Sequence, residues 1–125
     1  MKILFVDDSL FSRNTMKRHF ADLSGIQVFE ATNGIEALEL HRSTQPDVIF
    51  LDVTMPYLDG TATLKILRTI DATVKIIMAT ALGGQQYLCN EFIALGVDGI
   101  LPKPVTKNAA LSVFYTATKY NEVTK

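Results

Sequence analysis

Asp7, Asp8, Asp52, Thr80 and Lys103 are residues whose types and places in the chain could do chemistry together. Carboxylates brought together repel, since each prefers its charged form, with a pKa of only ~3.9 in water. Such crowding costs stability unless a cation joins the group. It also predicts that removing Asp7 or Asp8 leaves the metal-free fold as stable or more so. Oxygen donors with no His or Cys beside them suit a hard ion such as Mg2+. Lys103 would add a positive charge and Thr80 a hydroxyl donor. A divalent cation, an ammonium and a hydroxyl make a receptor for a phosphoryl group, whose transfer depends on charge neutralisation and positioning. A carboxylate can itself be the nucleophile and become an aspartyl phosphate.

These residues matter together only if the fold gathers them. Short apolar runs alternate with longer segments of helical period. Strands are read at Ile3 to Val6, Ile26 to Ala31, Val48 to Leu51, Lys75 to Ala79 and Gly99 to Leu101. Between them lie helices from a Ser9 cap to about Leu23, from Ile35 to about Ser43, from Thr61 to Ile70 and from Gln85 to Leu95. A last helix follows a Thr106 cap and runs to about Tyr120. Met16, Phe20 and Leu23 should face inward from the first helix, and Ile35 and Leu38 from the second. Gly96 suits a helix C-terminal cap. Strands that are apolar throughout are buried on both faces, so the sheet should be parallel. The expected fold is a doubly wound α/β sandwich of five strand–helix units. In such sheets ligands bind beyond the carboxyl ends of the strands. Asp7-Asp8, Asp52, Thr80 and Lys103 follow the first, third, fourth and fifth strands. Asp52 would end the central strand and act as nucleophile, with Asp7 and Asp8 next to it as metal holders.

The 125-residue chain is 48% hydrophobic and 20% charged, an ordinary globular composition that fits one domain. Twelve Lys and Arg against 13 Asp and Glu leave no basic excess for a nucleic-acid backbone. No apolar run approaches the ~18 residues of a membrane span. The single Cys89 excludes an internal disulfide and fits a reduced, cytoplasmic compartment. It reads as a small packed hydrophobe. His19 and His41 read as surface residues without a role, and Gly83-Gly84 as a mobile turn, since P-loop spacing is absent.

The chain resembles the receiver domain of two-component response regulators, including the stand-alone chemotaxis regulators. The resemblance rests on Ile3-Leu4-Phe5-Val6-Asp7-Asp8-Ser9, on Asp47 to Pro56 with Gly60, on Thr80-Ala81 and on Gly99-Ile100-Leu101-Pro102-Lys103-Pro104. It covers nearly the whole chain, with these motifs in register. It implies a single receiver domain over residues 1–125 with the flavodoxin-like strand order 2-1-3-4-5. It implies that Asp52 accepts phosphate from the phosphohistidine of a sensor histidine kinase or phosphotransfer protein. It implies direct Mg2+ binding by Asp8, Asp52 and the Thr54 carbonyl, with Asp7 acting partly through water. Lys103 would pair with Asp52 and then with the phosphoryl group, and Thr80 would move to bond it. The Lys103-Pro104 bond is expected to be cis. The output would be altered binding of a downstream effector protein, with no nucleic acid and no membrane as partner. Ile100 departs from the family, where Tyr or Phe usually stands three residues before the Lys. A coupled swing of threonine and ring therefore has no aromatic partner here.

Two other functions are weighed. A haloacid-dehalogenase-type phosphatase would want a second Asp two residues after its nucleophile, where Thr54 stands. A binding-only pseudo-receiver usually lacks the acidic pair, the acceptor or the Lys, and all are present. In the last helix Ala110, Phe114 and Ala117 form one apolar stripe, and Leu111 with Tyr115 a second. One helix on one side of a sheet normally buries a single stripe. Leu111 and Tyr115 are therefore expected partly outward, as a surface for an effector or a phosphorylation-dependent homodimer.

Overall fold

The computed structural model describes residues 1–81, 86–118 and 120. Strands and helices alternate as β1 (Lys2–Val6), α1 (Leu10–His19), β2 (Gln27–Ala31), α2 (Gly34–Thr44), β3 (Val48–Asp52), α3 (Gly60–Ile70), β4 (Lys75–Thr80), α4 (Gln86–Ala94), β5 (Gly99–Pro102) and α5 (Lys107–Thr118). Caps explain several helix starts. Ser9 Oγ accepts from the Ser12 N–H at 3.2 Å, Asn33 Oδ1 from Glu36 at 2.9 Å and Thr106 Oγ1 from Ala109 at 3.2 Å.

The strands form one parallel sheet in the order β2-β1-β3-β4-β5. Alternating side chains divide its apolar residues between two cores. Leu4, Val6, Ile49, Leu51, Ile76 and Met78 meet Ala37, Leu64, Leu67 and Phe92 from α2, α3 and α4. Ile3, Phe5, Val48, Phe50, Ile77 and Leu101 meet Phe20, Ala110 and Phe114 from the α1 and α5 side. Strands buried on both faces are why the apolar runs were continuous and not alternating.

Several expectations need correction. The first helix ends at His19, not near Leu23, because Phe20 already leaves the helical conformation (φ −102°, ψ 1°). Leu23 and Ile26 still pack on the second core, so apolar spacing continued through a turn and into a strand that starts at Gln27. Ile35 is 51% exposed. The buried face of α2 is Gly34, Ala37 and His41 instead. Gly34 packs so closely on α3 that a Cβ there would lie 2.0 Å from Thr63 Oγ1, and this contact sets the rotation of α2. His41 is buried, not a surface residue, and its Nε2 lies 2.8 Å from Asp71 Oδ2. His19 is half-buried against the Val105 carbonyl at 2.9 Å. The last helix ends at Thr118, before Tyr120. The Gly83-Gly84 turn lies outside the described residues.

Candidate functional site

Strand register carries the site residues to one edge of the sheet. Asp52 pairs with Ala79, and Thr80 with Pro102, so β3, β4 and β5 end side by side, with β1 ending at Val6 on the other flank. Asp7, Asp8 and Asp52 offer carboxylate oxygens within 4.8 Å of one another. Asp7 and Asp52 are buried while Asp8 is exposed. Lys103 reaches back between them, with Nζ 2.8 Å from Asp7 Oδ2 and 3.0 Å from Asp52 Oδ1. The repulsion anticipated within the acidic group is thus partly met from inside the chain.

Burial pushes the Asp52 carboxyl above the usual carboxylate range, and the neighbouring Asp7 charge adds to this. The hydrogen bond from Lys103 opposes it, helped by the Thr54 main-chain N–H. For Lys103 burial works toward neutrality, but the hydrogen bonds to Asp7 and Asp52 outweigh it and raise its pKa. The ammonium therefore stays charged where it meets both carboxylates.

The loops around these groups are held by the main chain. Asp7 Oδ1 accepts from the Ser9 N–H at 2.9 Å. Lys103 N–H donates to the Thr80 carbonyl at 2.9 Å, so the buried Thr80 and Lys103 are tied together. The Lys103-Pro104 bond is cis, as expected. Gly60 returns the β3–α3 loop against the backbone of Asp52: a Cβ there would lie 2.0 Å from the Asp52 carbonyl oxygen. The Gly60 N–H donates to Val53 O at 2.8 Å. Thr54 lies in this loop with an exposed side chain. Ile100 is half-buried on the core beneath α2, α3 and α4.

The donor set fits a hard divalent cation. Ligands at about 2.1 Å from Mg2+ lie at most ~4.2 Å apart, close to the present spread of the carboxylates. A cavity of about 100 Å³ adjoins this edge, between Phe5, Phe50, Met16, Pro104 and Val105, with Asp7, Asp52 and Lys103 along it. Sequence reasoning missed two groups here. Arg13 lines the same cavity and donates from Nη1 to the Asp7 carbonyl at 2.7 Å. Glu30 on β2 accepts from Arg13 Nε at 2.9 Å and from Lys17 Nζ at 2.8 Å. No spacing signal links positions 13 and 30, which meet only because β2 lies beside β1.

The family model for the response regulator receiver domain matches residues 3–114. The chemotaxis protein CheY of Listeria monocytogenes is 34% identical over 119 residues, 95% of this chain and 99% of its own. CheY of Bacillus subtilis is 36% identical over 110 residues, 88% of this chain and 91% of its own. A crystal structure of a CheX-CheY-BeF3-Mg+2 complex from Borrelia burgdorferi aligns with a TM-score of 0.86 at 28% identity, covering 93% of this chain and 87% of that one. The response regulator domain of Thermotoga maritima CheB aligns at 0.85 with 26% identity, covering 97% of this chain and 98% of that one.

Proposed function

The chain belongs to the response regulator receiver family, and on that premise we propose that residues 1–125 act as one receiver unit, a switch set by phosphorylation of Asp52. The observation that carries this reading is Lys103 bridging Asp7 and Asp52, at 2.8 and 3.0 Å, inside a cluster of three carboxylates. A pseudo-receiver has no use for this arrangement. A dehalogenase-type phosphatase would need a carboxylate at position 54, where Thr54 stands.

The phosphoryl group passes from an imidazole nitrogen of a phosphohistidine to a carboxylate oxygen of Asp52. The P–N bond breaks, an O–P bond forms, and the imidazole leaves with the electron pair. Asp8, Asp52 and the Thr54 carbonyl would hold Mg2+, with Asp7 behind them. The bound ion would neutralise charge on the phosphoryl oxygens. Lys103 releases its hold on the Asp52 carboxylate and follows the charge to the phosphoryl oxygen. Thr80, buried at the end of β4, supplies a hydroxyl to it. The protein catalyses only its own phosphorylation and dephosphorylation. The partners are a sensor histidine kinase or phosphotransfer protein upstream and an effector downstream. The BeF3 and Mg+2 named with the Borrelia CheY support this reading by likeness.

On the output side, Phe114 and Ala110 are buried and Leu111 packs on the second core, while Tyr115 stays 37% exposed and stacks near Tyr120 at 6.2 Å. This exposed ring supports docking of an effector or a second copy on α5. Leu111→Glu and Tyr115→Glu should weaken beryllofluoride-dependent association; unchanged association in both places the surface elsewhere.

The reading is tested by intact mass after acetyl phosphate treatment. One added phosphoryl group with Mg2+, and none in EDTA or in Asp52→Asn, is expected. Equal labelling without the metal would contradict it.

A further inference from the structure

The phosphoryl chemistry above leaves Arg13 without a task. Its side chain is only 12% exposed, beside the cavity that borders Asp52. The guanidinium spans two acceptors: Nε donates to Glu30 Oε1 at 2.9 Å, and Nη1 to the main-chain carbonyl of Asp7 at 2.7 Å. Glu30 is fixed from its other oxygen by Lys17 at 2.8 Å. The Lys17 hydrogen bond, then that of Arg13, holds the Glu30 carboxyl below its usual range against the effect of burial. The fork is therefore anchored on an ionised carboxylate.

The Asp7 carbonyl belongs to the peptide that joins Asp7 to Asp8. In extended chain, successive side chains point to opposite faces of the sheet. Asp7 and Asp8 would diverge if β1 continued through them. β1 stops at Val6, and both carboxylates reach within 4.8 Å of each other and of Asp52. The backbone must therefore turn at this peptide. The Asp7 N–H still follows the sheet, donating to the Ala31 carbonyl at 3.1 Å. Its side chain is set by the Ser9 N–H at 2.9 Å and by Lys103. The orientation of the peptide toward Asp8 is what Arg13 grips.

We propose that Arg13, anchored by Glu30, is a positioning residue for the Mg2+ site: it fixes the Asp7–Asp8 peptide so that both carboxylates converge on the cation. The inference rests on the reading of Asp7, Asp8 and Asp52 as that site. The guanidinium presents Nε–H and Nη1–H in a fixed planar fork, one to each acceptor, a geometry that a lysine ammonium on its flexible stem does not reproduce.

The test is a Mg2+ titration read by melting temperature, with a metal-free melt in EDTA for each protein. Arg13→Lys and Arg13→Met should raise the Mg2+ concentration at half-maximal stabilisation by about tenfold or more, the scale seen when a group that orients a metal ligand is removed. Glu30→Ala leaves Arg13 in place but removes its anchor. It should raise the midpoint by less, and it keeps the proposal testable should Arg13→Met not fold. A lowered metal-free melting temperature with an unchanged Mg2+ midpoint would reduce Arg13 to a structural role and overturn the proposal. A parental midpoint in Arg13→Lys would overturn it too, since charge alone would then suffice. A parent that does not respond to Mg2+ would instead remove the metal site itself, a failure visible before any variant is measured.

Discussion

A carboxylate that attacks phosphorus must be freed from water yet kept ionised. Asp52 shows both demands: burial raises its pKa, and Lys103 pulls it back. A pKa raised by folding means that the ionised form is disfavoured in the native state. Stability from this group is then full below the usual carboxylate range and declines as pH rises through the folded-state value. Asp52→Asn removes that cost. Without metal at pH 7 it should melt above the parent, by on the order of 1 kcal/mol, and the gap should close in acid; a lower melting temperature at pH 7 would count against this. The two aspartates proposed to hold the metal beside Asp52 should differ. Asp8 is exposed, so Asp8→Ala should leave the metal-free melt unchanged or higher while weakening the Mg2+ response. Asp7 pairs with Lys103 at 2.8 Å and accepts from Ser9 at 2.9 Å, so Asp7→Ala should lower the metal-free melt by about 1–3 kcal/mol. Crowding alone, all that the sequence displays, anticipates no such difference; the two bonds that create it are contacts across 96 residues and across a turn.

At the scale of elements, the strands were legible because burial on both faces leaves an unmistakable apolar run, as in Val48 to Leu51. Helix rotation was not. Ile35 looked inward by type, but the tight contact of Gly34 with Thr63 and Leu58 turns α2 the other way. That contact is a property of two helices and has no trace in either alone. The end of α1 differs for a related reason, since Leu23 is partly buried by packing on the core and not by helical geometry. The β3–α3 loop offers a sharp check. Adding a methyl at Gly60 would put a Cβ 2.0 Å from the Asp52 carbonyl and 2.8 Å from Val53 Cα, both parts of rigid backbone. Gly60→Ala should destabilise the fold by about 2–4 kcal/mol and, in whatever remains folded, displace Asp52 and slow its labelling. Parental stability and labelling would mean that this loop yields more easily than its contacts imply.

Over the whole molecule, polar ties outside the site hold neighbouring elements together. Asp71 caps the end of α3 and binds His41 of α2 at 2.8 Å, with Thr73 and Val74 N–H groups on its other oxygen at 2.9 and 3.0 Å. Burial raises its pKa, but the His41 bond and these donors outweigh it and lower the carboxyl below its usual range. A lowered folded-state pKa stabilises above the usual range and is lost as pH falls through it. Asp71→Asn should therefore cost stability at pH 7, a deficit that shrinks progressively as pH falls below the usual carboxylate range; a deficit independent of pH would point to lost packing alone. The candidate site was legible for the opposite reason to this pair: strand ends on one sheet edge bring Asp7, Asp8, Asp52, Thr80 and Lys103 together whatever the details of packing. His41–Asp71 and Arg13–Glu30 depend on those details. The proposed switch depends on Asp52 as the residue that takes the phosphoryl group. An acyl phosphate is reduced by borohydride to the alcohol, so phosphorylated protein treated this way and mapped by peptide mass should carry homoserine in place of Asp52 and nowhere else. Homoserine at Asp7 or Asp8, or none at all in protein that had gained a phosphoryl group, would contradict it.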